Sequence, residues 1–219
     1  MNVQEATTRR LPDLKERHLP ENCRETINTI LKETYGYEQF RNLEIYDDLS
    51  KGKEKLCISQ GQLIENVILE AEKAWKSETQ VDNILLTAPT GSGKSLLFQL
   101  PAIYLGKEYN LLTIVVSPLK ALIVDQVESL QELGYMRVAY ASSDLSPEQK
   151  MEVYRQVREG EIDLFYLSPE LLLSYDIKHF VGERRIGLVV VDEAHTVTTW
   201  GKEFRVDYWF LGRYLTALK

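Results

Sequence analysis

The chain has 219 residues, of which 44% are hydrophobic and 27% are charged, and its formal net charge is −7 at pH 7. This length suits one large domain or two small ones, and the composition is that of an ordinary soluble globular protein. The balance is acidic and the charges are interleaved, which argues against a simple coat protein for nucleic acid. Any contact with nucleic acid must use a local patch or oriented backbone dipoles.

The sequence predicts no membrane or secretory segment. No apolar run approaches the roughly 20 residues that cross a bilayer. The polar start MNVQEATTRRLPDLKERHLP lacks the apolar region of a signal peptide. Cys23 and Cys57 have no metal-ligand spacing, and two thiols do not make a disulfide framework. We therefore expect an intracellular protein with no membrane partner, cytoplasmic in a bacterium and nuclear in a eukaryote.

Residues 1–80 predict a helical N-terminal extension. An apolar stripe at 27–35 predicts a helix that Gly36 ends. After a polar loop at 47–55, a second stripe at 63–75 predicts an amphipathic helix that lies on a sheet.

Residues 81–219 predict an α/β domain, because short apolar runs alternate there with helical patterns. The predicted strands are 84–87, 111–116, 137–140, 163–167 and 186–191, and the predicted helices are 95–104, 119–133, 147–159 and 169–175. Strands rich in Val, Ile and Leu that are separated by helices favour a mostly parallel sheet with helices on both faces. Right-handed crossovers then give a doubly wound layer structure.

A glycine-rich segment, Ala-Pro-Thr-Gly-Ser-Gly-Lys-Ser at 88–95, joins the first of these strands to the first helix. In that context it predicts a phosphate-binding P-loop rather than a plain glycine-rich turn. Gly91 and Gly93 permit the tight turns that direct backbone amides at phosphate oxygens, and the helix N-terminus adds partial positive charge. Lys94 is predicted to reach the β- and γ-phosphates, and the Ser95 hydroxyl to ligate Mg²⁺. The predicted nucleotide contacts in this loop are Thr90, Gly91, Ser92, Gly93, Lys94 and Ser95.

An acidic tetrapeptide, Asp-Glu-Ala-His, follows the last predicted strand at 192–195. The carboxyl ends of parallel strands meet at one edge of a sheet, so this tetrapeptide should lie beside the P-loop. We predict that Asp192 holds Mg²⁺ and that Glu193 orients and polarises the attacking water. This placement favours a nucleotide-hydrolysing site over a solvated acidic loop.

Together the two motifs resemble those of superfamily 2 helicases with a DEAD/DEAH box. Three further segments are similar to RecQ-like DNA helicases: VVSPLKALIVDQV at 115–127, YLSPEL at 166–171, and AHTVTTWGKEFRVDY at 194–208. The second of them lacks the arginine usual in that family. The resemblance covers residues 35–211 and implies a RecA-like fold, ATP and Mg²⁺ as cofactors, and 3′-to-5′ movement on single-stranded or forked DNA. It also implies catalytic roles for Lys94, Asp192, Glu193 and His195.

The segment after the DEAH box resembles the aromatic-rich loop of RecQ proteins. Trp200, Phe204 and Arg205 supply aromatic faces and a guanidinium, which can stack on or grip an unpaired base. The loop starts directly after the box, so DNA pressing on it would couple binding to hydrolysis. The alternative is a local apolar core beneath the last helix, which we favour for the aromatic residues 208–210.

Two other family features fall on particular residues. The family's strand-end contacts with DNA phosphates fall on Ser117, Lys120 and Gln126, although Lys120 equally fits a solvated lysine at a helix start. The family reads adenine with a glutamine upstream of the P-loop. Here the lead-in at 35–41 is followed by Asn-Leu-Glu, and the matching Gly-Gln arrives only at 61–62. The resemblance therefore assigns adenine to Gln62, with Arg41 and Gln60 as alternatives.

The family binds ATP between two RecA-like domains, and this sequence carries the motifs of the first one alone. We therefore expect a fragment whose partner is a second RecA-like domain in cis. By itself it should be nearly inactive, because the second domain supplies an arginine finger. Two alternatives stay open: a translocase or RNA helicase that does not separate strands, and a non-catalytic ATP-binding adaptor. DNA repair and phage defence are both contexts for such a motor.

Overall fold

The computed structural model describes residues 19–46, 55–76, 83–86 and 91–194. Several predicted features lie outside these residues: most of the polar loop at 47–55, Thr90 in the P-loop, His195 of the DEAH box, and Trp200, Phe204 and Arg205 of the aromatic loop. In the part of the chain that is described, no helix has both the length and the apolar character needed to cross a membrane.

The described residues form seven helices and six strands. In chain order they are α1 (Glu25–Tyr35), β1 (Asn42–Tyr46), β2 (Lys55–Ser59), α2 (Gln60–Trp75), α3 (Leu96–Tyr109), β3 (Leu112–Val116), α4 (Lys120–Glu132), β4 (Val138–Ala141), α5 (Pro147–Arg158), β5 (Leu164–Leu167), α6 (Pro169–Ser174), α7 (Ile177–Val181) and β6 (Ile186–Val191).

Four strands form a parallel sheet in the order β4-β5-β3-β6. In its centre Val115 lies between Tyr166 on one neighbouring strand and Val190 on the other. Because consecutive strands run in the same direction, helices must return the chain between them. The parallel sheet confirms the α/β class that the sequence predicts.

Apolar side chains cover both faces of this sheet. Along β3, Val115 belongs to a core that includes residues of α1, α2, α3 and α4. Leu112, Ile114 and Val116 belong to a second core, built with residues of α5, α6 and α7. Successive strand residues point to opposite faces, so this alternation places α1–α4 on one face and α5–α7 on the other.

An antiparallel hairpin, β1 with β2, interrupts the N-terminal region. Asn42 pairs with Ser59, and the backbone N–H of Gln60 donates to the carbonyl of Arg41 at 2.9 Å. The hairpin is an element that the sequence analysis did not predict. It brings Arg41, the last residue of the segment at 35–41, next to Gln60, although 18 residues separate them in the sequence.

Arg24 fixes the N-terminal helices to α3. Its guanidinium donates to Glu65 and Glu72 on α2, each at 2.6 Å in the shortest contact, and to the hydroxyl of Tyr104 on α3 at 2.5 Å. Glu72 also accepts from the hydroxyl of Tyr109 at 2.9 Å. The helices of the extension share one apolar core with α3, and Tyr104 belongs to that core.

Two predicted elements differ from the structure, and one helix was not predicted. The predicted strand at 84–87 is not a strand over residues 83–86, where Leu85 is 66% exposed, and Thr87 lies outside the described residues. Helix α3 runs past its predicted end to Tyr109 and stops at Asn110, whose φ of 52° is one that asparagine tolerates. The short helix α7 was not predicted, because its five residues are too few for a helical stripe.

Candidate nucleotide-binding site

The two glycines of the P-loop have the backbone conformation for which glycine is needed. Gly91 has φ 80° and Gly93 has φ 76°, both in the left-handed region that side chains disfavour. Ser95 follows with helical dihedral angles, and the N–H of Gln99 donates to its carbonyl at 2.9 Å. The loop therefore delivers Lys94 and Ser95 to the N-terminus of α3, where the helix dipole favours a phosphate.

The side chain of Gln60 binds the backbone of this loop. Its side chain is 2% exposed, and its Nε2 donates to the carbonyl of Ser92 at 2.9 Å. Its Oε1 accepts from the backbone N–H of Arg41 at 3.1 Å. A Cβ on Gly93 would lie 2.7 Å from Gln60 Nε2, which is closer than real Cβ contacts. Close approach is thus a second reason for glycine at position 93, because Gln60 Nε2 could move away only by giving up its hydrogen bond to Ser92.

A cleft of about 270 Å³ opens beside this contact. Its lining includes Tyr37, Arg41, Gln60, Gly93 and Leu96. Small-molecule pockets begin at roughly 300 Å³, so a space of this size suits a nucleobase rather than a whole nucleotide. The cleft combines an aromatic ring, a guanidinium and a side-chain amide within reach of the P-loop.

Gln62, which the sequence analysis assigned to adenine, is not among the described residues that line this cleft. Its Oε1 accepts from the backbone N–H of Ser59 at 3.0 Å, and its Nε2 donates to the carbonyl of Pro20 at 3.1 Å. Ser59 and Gln62 form a capping box at the start of α2. The spacing Ser-x-x-Gln is the sequence signature of that cap, so this use of Gln62 was legible in the sequence and was missed.

Asp192 stands at the end of β6, at the sheet edge where the sequence analysis expected it. Its backbone N–H donates to the carbonyl of Val116 at 2.9 Å, which continues the pairing of β6 with β3. Its Oδ1 accepts from the N–H of Glu193 at 2.9 Å, and its Oδ2 accepts from Nε2 of Gln126 at 3.3 Å. Glu193 has φ 51°, a conformation that costs a residue with a side chain about 1–3 kcal/mol and is typical of functional sites.

A chain of side-chain hydrogen bonds extends from Asp192 through the interior. The hydroxyl of Tyr166 donates to Oε1 of Gln126 at 2.9 Å, and Nε2 of Gln99 donates to that hydroxyl at 3.2 Å. The hydroxyl of Tyr35 donates to Oε1 of Gln99 at 2.9 Å. Burial raises the pKa of Tyr35 and of Tyr166 well above the usual value for tyrosine, so both hydroxyls stay protonated and can donate. The sequence analysis gave no site role to Gln99 or to Tyr166, although Tyr166 is the first residue of the RecQ-like segment at 166–171.

The residues predicted to contact DNA phosphates occupy different environments. Ser117 follows β3 at the same sheet edge as Asp192, but it is 0% exposed and its N–H donates to Leu167. Lys120 begins α4 and donates to the hydroxyl of Ser143 and, at 3.0 Å, to Asp144. Gln126 points to Asp192, as described above. Of the three, only Lys120 presents an exposed charge, and an exposed pair of this kind contributes little and exchanges readily.

The donor set fits ATP with Mg²⁺. Ser95 supplies a hydroxyl oxygen and Asp192 a carboxylate oxygen, which are the hard ligands that Mg²⁺ prefers. The left-handed glycines and the N-terminus of α3 form a cradle for phosphates, and Lys94 follows them directly. These are the groups that would hold the cofactor.

A model of the DEAD/DEAH box helicase family matches residues 69–216. The chain therefore belongs to the DEAD/DEAH box helicase family, and its parallel sheet with two covered faces is the RecA-like fold that was predicted. Within that family its sequence is similar to RecQ DNA helicases, which confirms the resemblance drawn from the motifs.

Three relatives document this similarity. The ATP-dependent DNA helicase RecQ of Haemophilus influenzae is 30% identical over 187 residues, which are 85% of this chain and 25% of that protein. RecQ of Synechocystis is 34% identical over 191 residues, which are 86% of this chain and 33% of that protein. The ATP-dependent DNA helicase Q-like 5 of Arabidopsis thaliana is 34% identical over 185 residues, which are 84% of this chain and 17% of that protein. The chain thus spans at most a third of the length of these relatives.

Among solved structures, the DUF1998 helicase MrfA bound to DNA superposes on 82% of this chain and 22% of that chain. The TM-score is 0.49 and the sequence identity is 21%.

Proposed function

We propose that this chain is the ATP-binding motor domain of a RecQ-like DNA helicase, which couples hydrolysis of Mg-ATP to 3′-to-5′ movement along single-stranded DNA. The observation that supports it most is the bracing of the P-loop by Gln60. That contact unites the phosphate loop, the cleft beside it and the lead-in segment of the family in one site.

The phosphates of ATP bind at the turn formed by Gly91 and Gly93, with the ammonium of Lys94 as counter-charge. Ser95 and Asp192 would hold Mg²⁺, which would supply positive charge against the charge that develops on the phosphates. Glu193 orients the attacking water and accepts its proton, because its carboxylate directly follows Asp192, the residue assigned to the metal. His195 and Thr90 complete the set that the family resemblance implies.

We assign the adenine to the cleft at Gln60 and Arg41 rather than to Gln62. A glutamine amide has two N–H donors and two acceptor lone pairs, and Gln60 has used one of each on Ser92 and Arg41. The remaining donor and acceptor match the N7 and amino group of adenine, the pair that glutamine binds in nucleic acids. The Tyr37 ring and the Arg41 guanidinium offer planar surfaces for stacking on the base.

Single-stranded DNA binds at the sheet edge that carries Lys120 and at the aromatic loop with Trp200, Phe204 and Arg205. Lys120 exchanges its exposed partner Asp144 for a phosphate, and the aromatic residues stack on unpaired bases. Ser117 is buried, so its contact with a phosphate requires the end of β3 to be uncovered. A second RecA-like domain supplies the arginine finger that full activity needs.

Two measurements test this function. A fluorescent ATP analogue titrated into the chain should bind in the presence of Mg²⁺, and Lys94→Ala should abolish the binding because it removes the phosphate counter-charge. ATP hydrolysis by the complete natural protein should rise strongly when a single-stranded oligonucleotide is added, and Trp200→Ala with Arg205→Ala should remove that rise alone. Binding of ATP without any stimulation would instead identify a non-catalytic adaptor. Stimulation by RNA but not by DNA would identify an RNA helicase.

A further inference from the structure

We propose that Gln126 is a positioning residue for Asp192: it holds the carboxylate in the orientation that ligates the metal, and it is itself held by Tyr166. This inference rests on the proposed function, because it concerns the same Mg²⁺ site. It reassigns Gln126 from a DNA contact to a part of the nucleotide site.

The hydrogen bonds to Asp192 reach both oxygens of its carboxylate. Oδ1 of Asp192 accepts from the N–H of Glu193, and Oδ2 accepts from Nε2 of Gln126. Each carboxylate oxygen has two lone pairs, so both can accept one hydrogen bond and still face a cation. Two donors that act on two oxygens fix the rotation of the carboxylate about its terminal bond. The bond from Gln126 is long at 3.3 Å, as is common for such contacts before ligands bind.

The donor-to-acceptor direction of the buried hydrogen bonds determines which way the Gln126 amide faces. Tyr166 has one proton, and it donates that proton to Oε1 of Gln126 while it accepts from Gln99. Nε2 of Gln126 is thereby left for Asp192. A flipped amide would place its oxygen against the carboxylate, where two acceptors repel. Because Tyr166 is 0% exposed and Gln99 is 5% exposed, water does not substitute for the missing partners, and the chain keeps this direction.

The same chain links the two elements that carry the metal ligands. Gln99 lies one helical turn beyond Ser95, and its N–H donates to the Ser95 carbonyl. Tyr166 and Gln126 therefore connect the P-loop helix to the strand end that bears Asp192. Gln126 lies on α4, whose first residue is Lys120, so a displacement of that helix would be transmitted to the carboxylate.

The test compares metal affinity with nucleotide affinity in the 219-residue chain. Mn²⁺ is the probe for the metal site, with free Mn²⁺ followed by electron paramagnetic resonance in the presence of saturating ADP. A fluorescent ADP analogue in EDTA measures nucleotide affinity without metal. Gln126→Met keeps the length of the side chain and removes its amide. Gln131→Met makes the same change further along α4 and serves as the control.

We expect Gln126→Met to weaken Mn²⁺ binding about tenfold, the lower end of what loss of such a partner costs. Binding of ADP in EDTA should stay unchanged, and the control should match the wild type in both assays. Tyr166→Phe removes one hydroxyl and should weaken Mn²⁺ binding in the same selective way. This second variant decides the matter if Gln126→Met does not fold.

Two results would overturn the inference while the proposed function survives. Unchanged Mn²⁺ affinity in both variants would show that the carboxylate does not need Gln126. An equal loss of affinity for Mn²⁺ and for nucleotide without metal would show that these side-chain hydrogen bonds serve packing only. If the wild-type chain binds neither ADP nor Mn²⁺, the proposed function itself fails, and the inference fails with it.

Discussion

The side-chain amide of Gln60 donates to the carbonyl of Ser92 at 2.9 Å and so connects the first turn of α2 to the phosphate loop. Gln62, two positions later, faces the helix cap instead. The two glutamines thus make different contacts, although the family resemblance had assigned the adenine contact to Gln62. This difference leads directly to the first prediction.

Gln60→Ala should weaken binding of a fluorescent ATP analogue about tenfold, because it removes the brace of the loop and leaves the Ser92 carbonyl and the Arg41 N–H without this partner. It should also reduce the preference for ATP over GTP in a competition titration. Gln62→Ala is the matched comparison. It should lower the free energy of unfolding by about 1 kcal/mol through loss of the helix cap, with nucleotide affinity unchanged. The reverse pattern would return the adenine contact to Gln62.

Gly93→Ala should destabilise the chain more than Gly91→Ala does. Each substitution places a side chain at a left-handed φ, at a cost of about 1–2 kcal/mol. At Gly93 the new Cβ also meets Gln60 Nε2 at 2.7 Å, whereas at Gly91 no described atom lies within 4 Å. Urea unfolding without nucleotide measures both. Combining Gly93→Ala with Gln60→Ala should recover part of the loss, because the clash is gone; strict additivity would contradict the close approach.

Arg24→Met should lower the free energy of unfolding by about 3 kcal/mol, because it leaves two largely buried carboxylates, Glu65 and Glu72, without their cation. Lys32→Met is the control. It breaks a pair with Glu38 in which both side chains are more than half exposed, so its cost should stay below about 1 kcal/mol. Urea denaturation followed by circular dichroism gives both values. Equal costs for the two variants would show that the Arg24 cluster is as solvated as the surface pair.

The contribution of Glu72 to stability should depend on pH. Burial alone would raise the pKa of this carboxyl, but hydrogen bonds from Arg24, Tyr109 and Tyr104 outweigh it and the pKa is lowered. A carboxyl whose pKa is lower in the folded state stabilises the protein above its unfolded pKa, about 4.3, and loses that effect as the pH falls through the folded value. The difference in unfolding free energy between wild type and Glu72→Gln should therefore be largest near neutral pH and should shrink below about pH 4. A difference that is constant from pH 3 to pH 8 would contradict the lowered pKa.

The two cysteines should react at different rates with a thiol reagent such as DTNB. Cys57 is exposed, whereas Cys23 is partly buried and its pKa is raised to about 12 by burial and by the neighbouring Glu65. At pH 8 the native chain should show one fast and one slow thiol, and Cys57→Ala should remove the fast phase. In urea both thiols should react alike. Two fast thiols in the native chain would contradict the packing of Cys23 against α2.

Local sequence determined much of this protein by itself. Glycines at 91 and 93, lysine and serine after them, and a carboxylate after an apolar strand predict a phosphate site, because each residue type meets a need of a single turn or strand end. The parallel sheet was predictable for the same reason, since strand and helix periodicities are local properties. The predicted strand at 84–87 shows the limit of such predictions, because periodicity does not reveal whether a short apolar run pairs with a neighbouring strand.

Tertiary structure alone decided which side chains meet. The β1–β2 hairpin joins Arg41 to Gln60 across the whole intervening segment, and no local pattern specifies that pairing. The chain from Tyr35 through Gln99, Tyr166 and Gln126 to Asp192 draws on separate helices and strands. Buried polar groups must find partners, but which partners they find depends on how the layers pack. For that reason the sequence shows the catalytic motifs, and the fold shows what holds them in place.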